Sequence, residues 1–546
     1  MREQGSPPPG AAQAGRHLDS WGEIAAHLHR SVSTVQRWEK HEGLPVHRIA
    51  HARLGSVYAT TTELDAWYET RSHAAAPAIV PVGDRIRLAV LPFQNLSGSP
   101  DQDFFSDGLT EELITHLARL RPDRLAVVAR TSAMQYRHTA KDVRSIGAEL
   151  GVAYVLDGSV RRAGARLRVT AQLVQTSDGT HIWADTYEQD LTDVIEIQTA
   201  IAERVGDSLS LELLSDRHVA HAKARQTTPE ARDEYLKGRY VWNQRTPDAL
   251  RQALAHFQRT IELDPGFAPG YVGLADTYAL LGFWGYGILA PAEASRIARP
   301  AAERALRLDP GFAEAYATRG FLDYEFDWAW TAAERSFRRA LELNPSYATG
   351  RQWYAVCLAL QGRSADALAE IAQAREIDVL SSVVDYAVAW IHYLGRDYAR
   401  ALQHGVRARQ DNPGFAVTHI LLAAVHSFMG HAGEALREYD AYDRLRGVSA
   451  VGITFRACHH ARAGETRRAK QGLAELQKRA RSAGASPWQL AVVHASLGDI
   501  DGAFAELERA FEERSDFLAY LKVEPHWDPL RSDPRFAGML RRVGLS

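Results

Sequence analysis

Five glycines in the second half of this 546-residue chain, Gly362, Gly395, Gly430, Gly464 and Gly498, fall 33, 35, 34 and 34 residues apart. Four are followed five residues later by an alanine, Ala367, Ala435, Ala469 and Ala503; Gly395 is followed by Ala401 after six, which reads as a one-residue insertion in that repeat. Pro265, Pro310, Pro345 and Pro413 each follow Asp or Asn, at intervals of 45, 35 and 68, the last being twice 34. Glycine permits a turn between two helices, small alanine lets those helices approach, and proline stops the second helix before the next begins. Helical pairs of this kind cannot bury their apolar faces alone, so they must stack into a solenoid.

A period near 34 with this order of markers resembles the tetratricopeptide repeat. Residues 313 to 345 carry the clearest unit, with Gly320, Ala333, Phe337, Ala340 and Pro345 near the family's consensus places. About eight helical pairs are expected between residues 231 and 525, the second stretched by the insert GFWGYGILAP at residues 282 to 291. The resemblance implies an all-α tetratricopeptide solenoid over residues 228 to 546 whose concave groove docks a protein or peptide; a structural spacer is the plainer alternative. Tyr240, Trp242, Tyr271, Trp353, Tyr354, Tyr386 and Trp390 fall on first helices of pairs, where aromatics serve as core or as ligand contacts. The tail HWDPLRSDPRFAGMLRRVGLS resembles the endings of such proteins and is expected to cap the last helices.

With 46% apolar residues the chain can bury real cores, and a net charge of −3 argues against a surface that grips nucleic acid everywhere, leaving room for a local patch. Cys357 and Cys458 are too few for a disulfide framework or a cysteine zinc site and fit a reducing compartment. MREQGSPPPGAAQAG holds no apolar run for a signal peptide, and residues 1 to 17 read as a disordered tail. The most apolar run, Phe415 to Met429, is about fifteen residues, short of the roughly twenty a membrane span needs. These features predict a cytoplasmic protein with no membrane contact.

Residues 18 to 72 read as helix, turn, helix, an irregular stretch and a third helix. In WGEIAAHL, Ile24, Ala25 and Leu28 share a face. In VSTVQRWEKHE, Val32, Val35 and Trp38 recur on one side while Ser33, Gln36, Arg37 and Lys40 follow the i, i+3, i+4, i+7 pattern on another. Gln and Arg can make paired hydrogen bonds to base edges in a major groove, and Lys and Ser commonly hold phosphates. From His29 to Arg53 there are five Lys and Arg against two Glu, but from His17 to His73 six against seven, so binding must rest on one face. The stretches EIAAHLHRSVSTVQRWEKHEGLPVHR and GSVYATTTELDAWYETR resemble a winged helix-turn-helix module of the excisionase and MerR-like kind. That resemblance assigns Ser33, Thr34, Gln36, Arg37 and Lys40 to a recognition helix for double-stranded DNA, and His47, Arg48 and Arg53 to the wing. It has Leu64 and Trp67 close the core. A single small module contacts few base pairs, which points to a homodimer. A helical module that binds protein is the alternative.

A linker, residues 73 to 85, precedes a change of period. RLAVLPF and LAVVAR read as strands, SDGLTEELITHLARL as a helix capped by Ser106 or Asp107 with Glu111 and Glu112 in its first turn, and Leu167, Val169, Ala171 and Leu173 as the buried side of an alternating strand. LAVLPFQNLSGSPDQDFFSDGLTEELITHL and YVLDGSVRRAGARLRVTAQLVQTSDGTHIWADTYEQDL look like the TolB-like amino-terminal domain, implying a mixed α/β module over residues 86 to 213. Asp101, Asp103 and Asp107 could form a metal or acid-base cluster, but a loop before a helix collects carboxylates as caps and turn formers. No phosphate-binding glycine loop, HExxH or GxSxG motif occurs, and the adjacent His459 and His460 diverge on a helix. The expectation is a multidomain chain, winged helix-turn-helix, then mixed α/β domain, then tetratricopeptide solenoid, that regulates transcription, is not an enzyme and holds no cofactor or metal. The rivals are a scaffold that does not bind DNA and a small-molecule sensor built on the α/β domain.

Overall fold

The computed structural model describes residues 17–28, 32, 35–36, 39–40, 44–49, 56–64, 85–97, 102–122, 124–163, 166–190, 194–209, 227–482 and 484–545, without the side chains of Arg48, Ile49, Ser56 and Ile195. The chain divides into two compact units, Met1–Pro81 and Val82–Ser546.

The first unit holds β1 (His17–Leu18), α1 (Trp21–His27), β2 (His47–Ile49) and β3 (Ser56–Thr60), the strands forming an antiparallel sheet in the order β1-β3-β2. Ser20 starts α1: its hydroxyl accepts from the Glu23 amide at 3.2 Å while the Glu23 carboxylate accepts from the Asp19 amide at 2.8 Å. Val32, Val35, Gln36, Glu39 and Lys40 have helical backbone, as have residues 61 to 64. Ile24, Ala25, Leu28, Val35, Leu44, Val57, Ala59 and Leu64 make the core, so Leu64 closes it as expected. Val32 departs from expectation. It is 40% exposed, because it sits one turn before Val35 at the edge of that small core.

The second unit begins with an α/β layer: β4 (Ile86–Val90), β5 (Gln94–Asn95), α2 (Asp103–Leu120), β6 (Leu125–Val127), α3 (Arg130–Ala133), α4 (Val143–Leu150), β7 (Tyr154–Ala163), β8 (Arg166–Gln175), β9 (His181–Asp190) and α5 (Val194–Ser208). The sheet order is β6-β4-β7-β8-β9, with β5 beside β7; β4 is parallel to both neighbours and β7, β8 and β9 are antiparallel. Leu88 and Val90 meet α2 and α5 on one face, while Ala89 and Leu91 meet Ile146 and Leu150 of α4 on the other, so β4 is apolar on both sides. On β8, Leu167, Val169, Ala171 and Leu173 are buried in alternation with more exposed polar residues. Helix α2 starts earlier than its sequence suggests, at Asp103 after Gln102. Ser106 and Asp107 therefore lie inside it and cap nothing; the Asp107 carboxylate is buried against Arg137 and Arg130.

Eight helical pairs follow: α6 (Pro229–Trp242) with α7 (Pro247–Leu263), α8 (Ala268–Gly282) with α9 (Pro291–Leu308), α10 (Ala313–Glu325) with α11 (Trp330–Leu343), α12 (Ala348–Leu360) with α13 (Ser364–Ile377), α14 (Ser382–Leu394) with α15 (Tyr398–Asp411), α16 (Ala416–Phe428) with α17 (Ala432–Arg446), α18 (Ala450–Arg462) with α19 (Thr466–Ala480), and α20 (Pro487–Ser496) with α21 (Ile500–Glu512). A left-handed residue ends the first helix of six successive pairs: Trp328, Gly362, Arg396, Gly430, Gly464 and Gly498, with φ of 55, 82, 64, 78, 77 and 78°. Each is 34 residues from the next, and the alanine five residues on, Ala333 through Ala503, is fully buried every time. The apparent insertion at Gly395 is therefore no insertion. Gly395 has φ −78°, and Arg396 takes the left-handed place.

After α21 the chain turns inward. Two 3-10 turns, Asp516–Tyr520 and Pro525–Leu530, precede α22 (Pro534–Arg542). Phe517 stacks on Trp488 at 4.0 Å and meets Trp284 at 5.5 Å, and Tyr520 stacks on Trp390 at 5.3 Å. The Tyr520 hydroxyl donates to Glu325 at 2.9 Å, Tyr393 to Glu524 at 2.6 Å, and the Trp330 indole to the Val543 carbonyl at 2.7 Å. The tail thus reaches back to the third and fifth pairs as well as the eighth, and with the 282–291 insert it fills the inner face that the sequence had suggested as an open groove. Trp242, Trp353, Tyr354, Tyr386 and Trp390 are accordingly buried, whereas Tyr240 is exposed.

Candidate nucleic-acid interface

In the first unit, Gln36 and Lys40 are exposed and lie one helical turn apart, on the polar side opposite buried Val35. His47 and Arg48 lie in β2, opposite Tyr58 and Val57 of β3. The His47 ring stacks on Tyr58, with centroids 4.9 Å apart, and its Nε2 stands 3.2 Å from the Glu63 carboxylate. Thr60 donates its hydroxyl to the same carboxylate at 2.8 Å; that bond and then His47 hold the Glu63 carboxyl below its usual range. His47 is thus held partly by its own unit, a restraint its position in the sequence does not announce. Ser33, Thr34, Arg37, Trp38, Arg53 and Trp67 lie outside the described residues.

The α/β layer and the solenoid are bound together through groups that sequence reasoning placed elsewhere. Glu111 and Glu112, expected in the first turn of α2, sit two turns further on and face the solenoid. Arg239 of α6 grips Glu111 through Nε and Nη2 at 2.9 and 2.7 Å, and Arg130 approaches it at 3.0 Å. Burial alone would raise the Glu111 carboxyl, but Arg239 and Arg130 outweigh it and hold it below the usual range. Arg232 pairs with Glu112 at 3.3 Å. Gly108 of α2 lets Leu236 approach so closely that a Cβ there would stand 2.5 Å from Leu236 Cδ2. At a second contact Ser132 gives its amide and hydroxyl to buried Asp378, at 3.0 and 2.7 Å, and its oxygen accepts the Leu380 amide at 2.8 Å. Burial raises the Asp378 carboxyl despite these bonds.

On the outside of the solenoid a cleft of about 470 Å³ lies between α15 and α17. His419 Nδ1 stands 2.6 Å from the Glu438 carboxylate there, and Arg409 grips the other oxygen. Burial works to raise the Glu438 carboxyl, and His419 with Arg409 reverses it. Among the described residues no three His, Cys, Asp or Glu side chains gather as metal ligands would, and no helix is long and apolar enough to cross a membrane.

Comparison with known proteins bears mainly on this second unit. The family described as "HilA/YgeH-like transcriptional regulator, second domain" matches residues 84–204, from just before β4 into α5, the stretch whose sequence resembles the TolB-like domain. The transcriptional regulator HilA of Salmonella paratyphi A is 24% identical over 374 residues, 67% of this chain and 65% of that protein. A protein of Rhizobium meliloti named putative adenylate cyclase 3 is 36% identical over 188 residues, 34% of this chain and 32% of that one. The chain thus spans about a third of one relative and just under two thirds of the other. A solved thermophilic TPR protein of Thermus thermophilus is 17% identical, with a TM-score of 0.31 over 36% of this chain and 98% of that one. The cyclase match overturns the expectation that the chain is not an enzyme: motif absence was its whole support, and a segment of this sequence is shared with a protein named for catalysis.

Proposed function

We propose that this protein is a cytoplasmic DNA-binding transcriptional regulator. In this reading the first unit is a winged helix-turn-helix that reads duplex DNA through Ser33, Thr34, Gln36, Arg37 and Lys40, with His47, Arg48 and Arg53 on the wing. The α/β layer and solenoid form the body that receives a signal or a protein partner, and a homodimer supplies the second DNA half-site. The observation that carries the proposal is the match of residues 84–204 to the second domain of a transcriptional regulator. Exposed Gln36 and Lys40 one turn apart support the assignment of the recognition face. Because the inner face of the solenoid is taken up by Phe517, Tyr520 and Trp527, a partner would meet the outer helices.

A scaffold that ignores DNA is favoured by one observation, the near balance of six Lys and Arg against seven Asp and Glu between His17 and His73. Selection of bound sequences from a random duplex pool by the full chain, at two salt concentrations, separates the two. The regulator gives an enriched motif, and Arg37→Ala costs about 1–3 kcal/mol of discrimination at one base pair. Absence of enrichment at both salts would leave the scaffold.

A further inference from the structure

Helix α19 buries only Ala469 and Leu476. Arg467, Lys470, Lys478 and Arg481 on or at the end of it are all exposed, and at 3.6 residues per turn they fall within about an 80° arc along about 21 Å of helix. None is within ion-pairing distance of a carboxylate among the described residues, although Glu475 lies one turn before Lys478. The acids of this region are engaged by other cations: Glu465 takes Arg468 at 2.9 Å and Glu475 takes Arg479 at 2.9 Å.

The stripe belongs to this repeat and not to the architecture. Counting by 34 over the six repeats, the place of Lys470 is held elsewhere by Glu334, Leu368, Leu402, Leu436 and Phe504; the four apolar residues are at least half-buried and Glu334 is paired with Arg338 and Arg363, so of the six only Lys470 is an unpaired cation in water. The places of Arg467 and Lys478 become Asp501 and Glu512 one repeat later. From Arg396 to Ser482 the chain has fifteen Lys and Arg against eight Asp and Glu, in a protein whose net charge is −3. Such segregation of charge marks a surface for a polyanion.

We infer that the outer face of α19, through Arg467, Lys470, Lys478 and Arg481, is a second DNA contact that holds the phosphate backbone of a duplex without reading its sequence. Duplex DNA supplies a regular line of phosphates, about 3.4 Å of axis per phosphate on one strand, so a stripe of this length spans about six of them. Four long, flexible cations fill the arc, with the exposed Gln471 and Gln477 only at its two edges, so the face presents charge for phosphates more than paired donors and acceptors for base edges. The inference extends the regulator proposal, resting on it for the choice of duplex DNA as the polyanion.

The test uses the full chain and a random-sequence 30-base-pair duplex, with affinity measured from 50 to 200 mM salt. Each phosphate contact contributes about 0.9 to the slope of log affinity against log salt. The variant carrying Arg467→Gln, Lys470→Gln, Lys478→Gln and Arg481→Gln is expected to lower the slope by about 3 to 4 with its helical circular dichroism unchanged. A control losing the same charge from Arg251, Arg259, Arg307 and Arg339, each ion-paired on an earlier outer helix, should keep the wild-type slope. Binding of wild type with an equal slope in the stripe variant overturns the inference and leaves the regulator proposal standing. Stripe-dependent binding supports the inference, and sequence preference is decided separately by the selection from the random duplex pool. Failure of the full chain to bind any duplex removes both. Vesicles of phosphatidylserine and phosphatidylcholine serve as the competing anionic surface: stripe-dependent vesicle binding with an unchanged DNA slope also overturns the inference.

Discussion

Replacing Asp516 by asparagine should stabilise the protein, and only on the alkaline side. Asp516 is 2% exposed at the centre of the solenoid; Oδ1 accepts the Phe517 amide at 2.9 Å and Oδ2 has no partner among the described residues. Glu325, fully buried, is the neighbouring acid, and neither carboxyl has an ion-pair partner among the described residues. Burial pushes Asp516 from its ordinary 3.8 up to about 7, and burial followed by repulsion from Asp516 raises Glu325 as well. Below pH 3.8 folded and unfolded chains both hold the Asp516 proton. Between 3.8 and about 7 the unfolded chain releases it and the folded chain keeps it, so stability falls as pH rises, and above about 7 the loss is complete. A shift of this size corresponds to roughly 4 kcal/mol, since one unit is worth about 1.4 kcal/mol. Asp516→Asn keeps the shape and the amide contact and cannot ionise. Urea unfolding at pH 5 and pH 8 is therefore expected to show wild type losing about 2–3 kcal/mol more than the variant between the two, with the variant the more stable at pH 8. Equal pH dependence in both proteins would show that these carboxyls are reached by water or by a cation, and would refute the closed interior.

Three further outcomes follow from the same contacts. Ser132→Ala removes one of the hydroxyl donors of buried Asp378, Ser381 and Thr131 remaining, and should cost about 1–2 kcal/mol in thermal or urea unfolding, with Asp378→Asn recovering part of the loss in the double variant. Gly108→Ala should cost about 1–3 kcal/mol by driving a methyl into Leu236, and combining it with Leu236→Ala should make the two effects clearly non-additive. Cys357 and Cys458 are buried, and burial pushes the Cys458 thiol up to about 12 and Cys357 higher still, so a disulfide reagent should modify them only at the rate of unfolding; immediate labelling of the native protein would contradict their place in the core.

The solenoid was legible because glycine is the chemical mark of a left-handed turn, and four of the six turns use it. The other two are held by Trp328 and Arg396, whose backbone is stabilised by distant contacts that local sequence does not carry. Arg396 donates to the Leu394 and Val523 carbonyls at 3.0 and 3.2 Å and to Asp528 at 2.5 Å; Trp328 packs on Phe511, with Arg514 over its ring. Reading Gly395 as the turn therefore produced a false insertion. The N-terminal core residues Ile24, Ala25, Leu28, Val35 and Leu64 were visible in their spacing, whereas the Glu63 clamp on His47 joins residues sixteen apart across a sheet and has no local pattern. In α2 the misplaced start came from treating every carboxylate near a helix as a cap, when Asp107, Glu111 and Glu112 are partners of arginines from α3, α6 and the segment after α3.

The strained turns explain why the tail is inside. A non-glycine residue in the left-handed region costs on the order of 1 kcal/mol, and Arg396 and Trp328 both recover that cost through the C-terminal half of the chain, Arg396 through Val523 and Asp528 and Trp328 through Phe511 and Arg514. The end of α21 and the segment after it thus support the two turns that lack glycine. A peptide entering the inner face would have to displace Phe517, Tyr520 and Trp527, each fully buried or nearly so, and losing even one such aromatic from a core costs about 3–5 kcal/mol. An ordinary micromolar ligand brings about 8 kcal/mol in all, less than the removal of these three requires. Under the regulator proposal a partner of this body would therefore meet its outer helices, among them α19 with its four exposed cations.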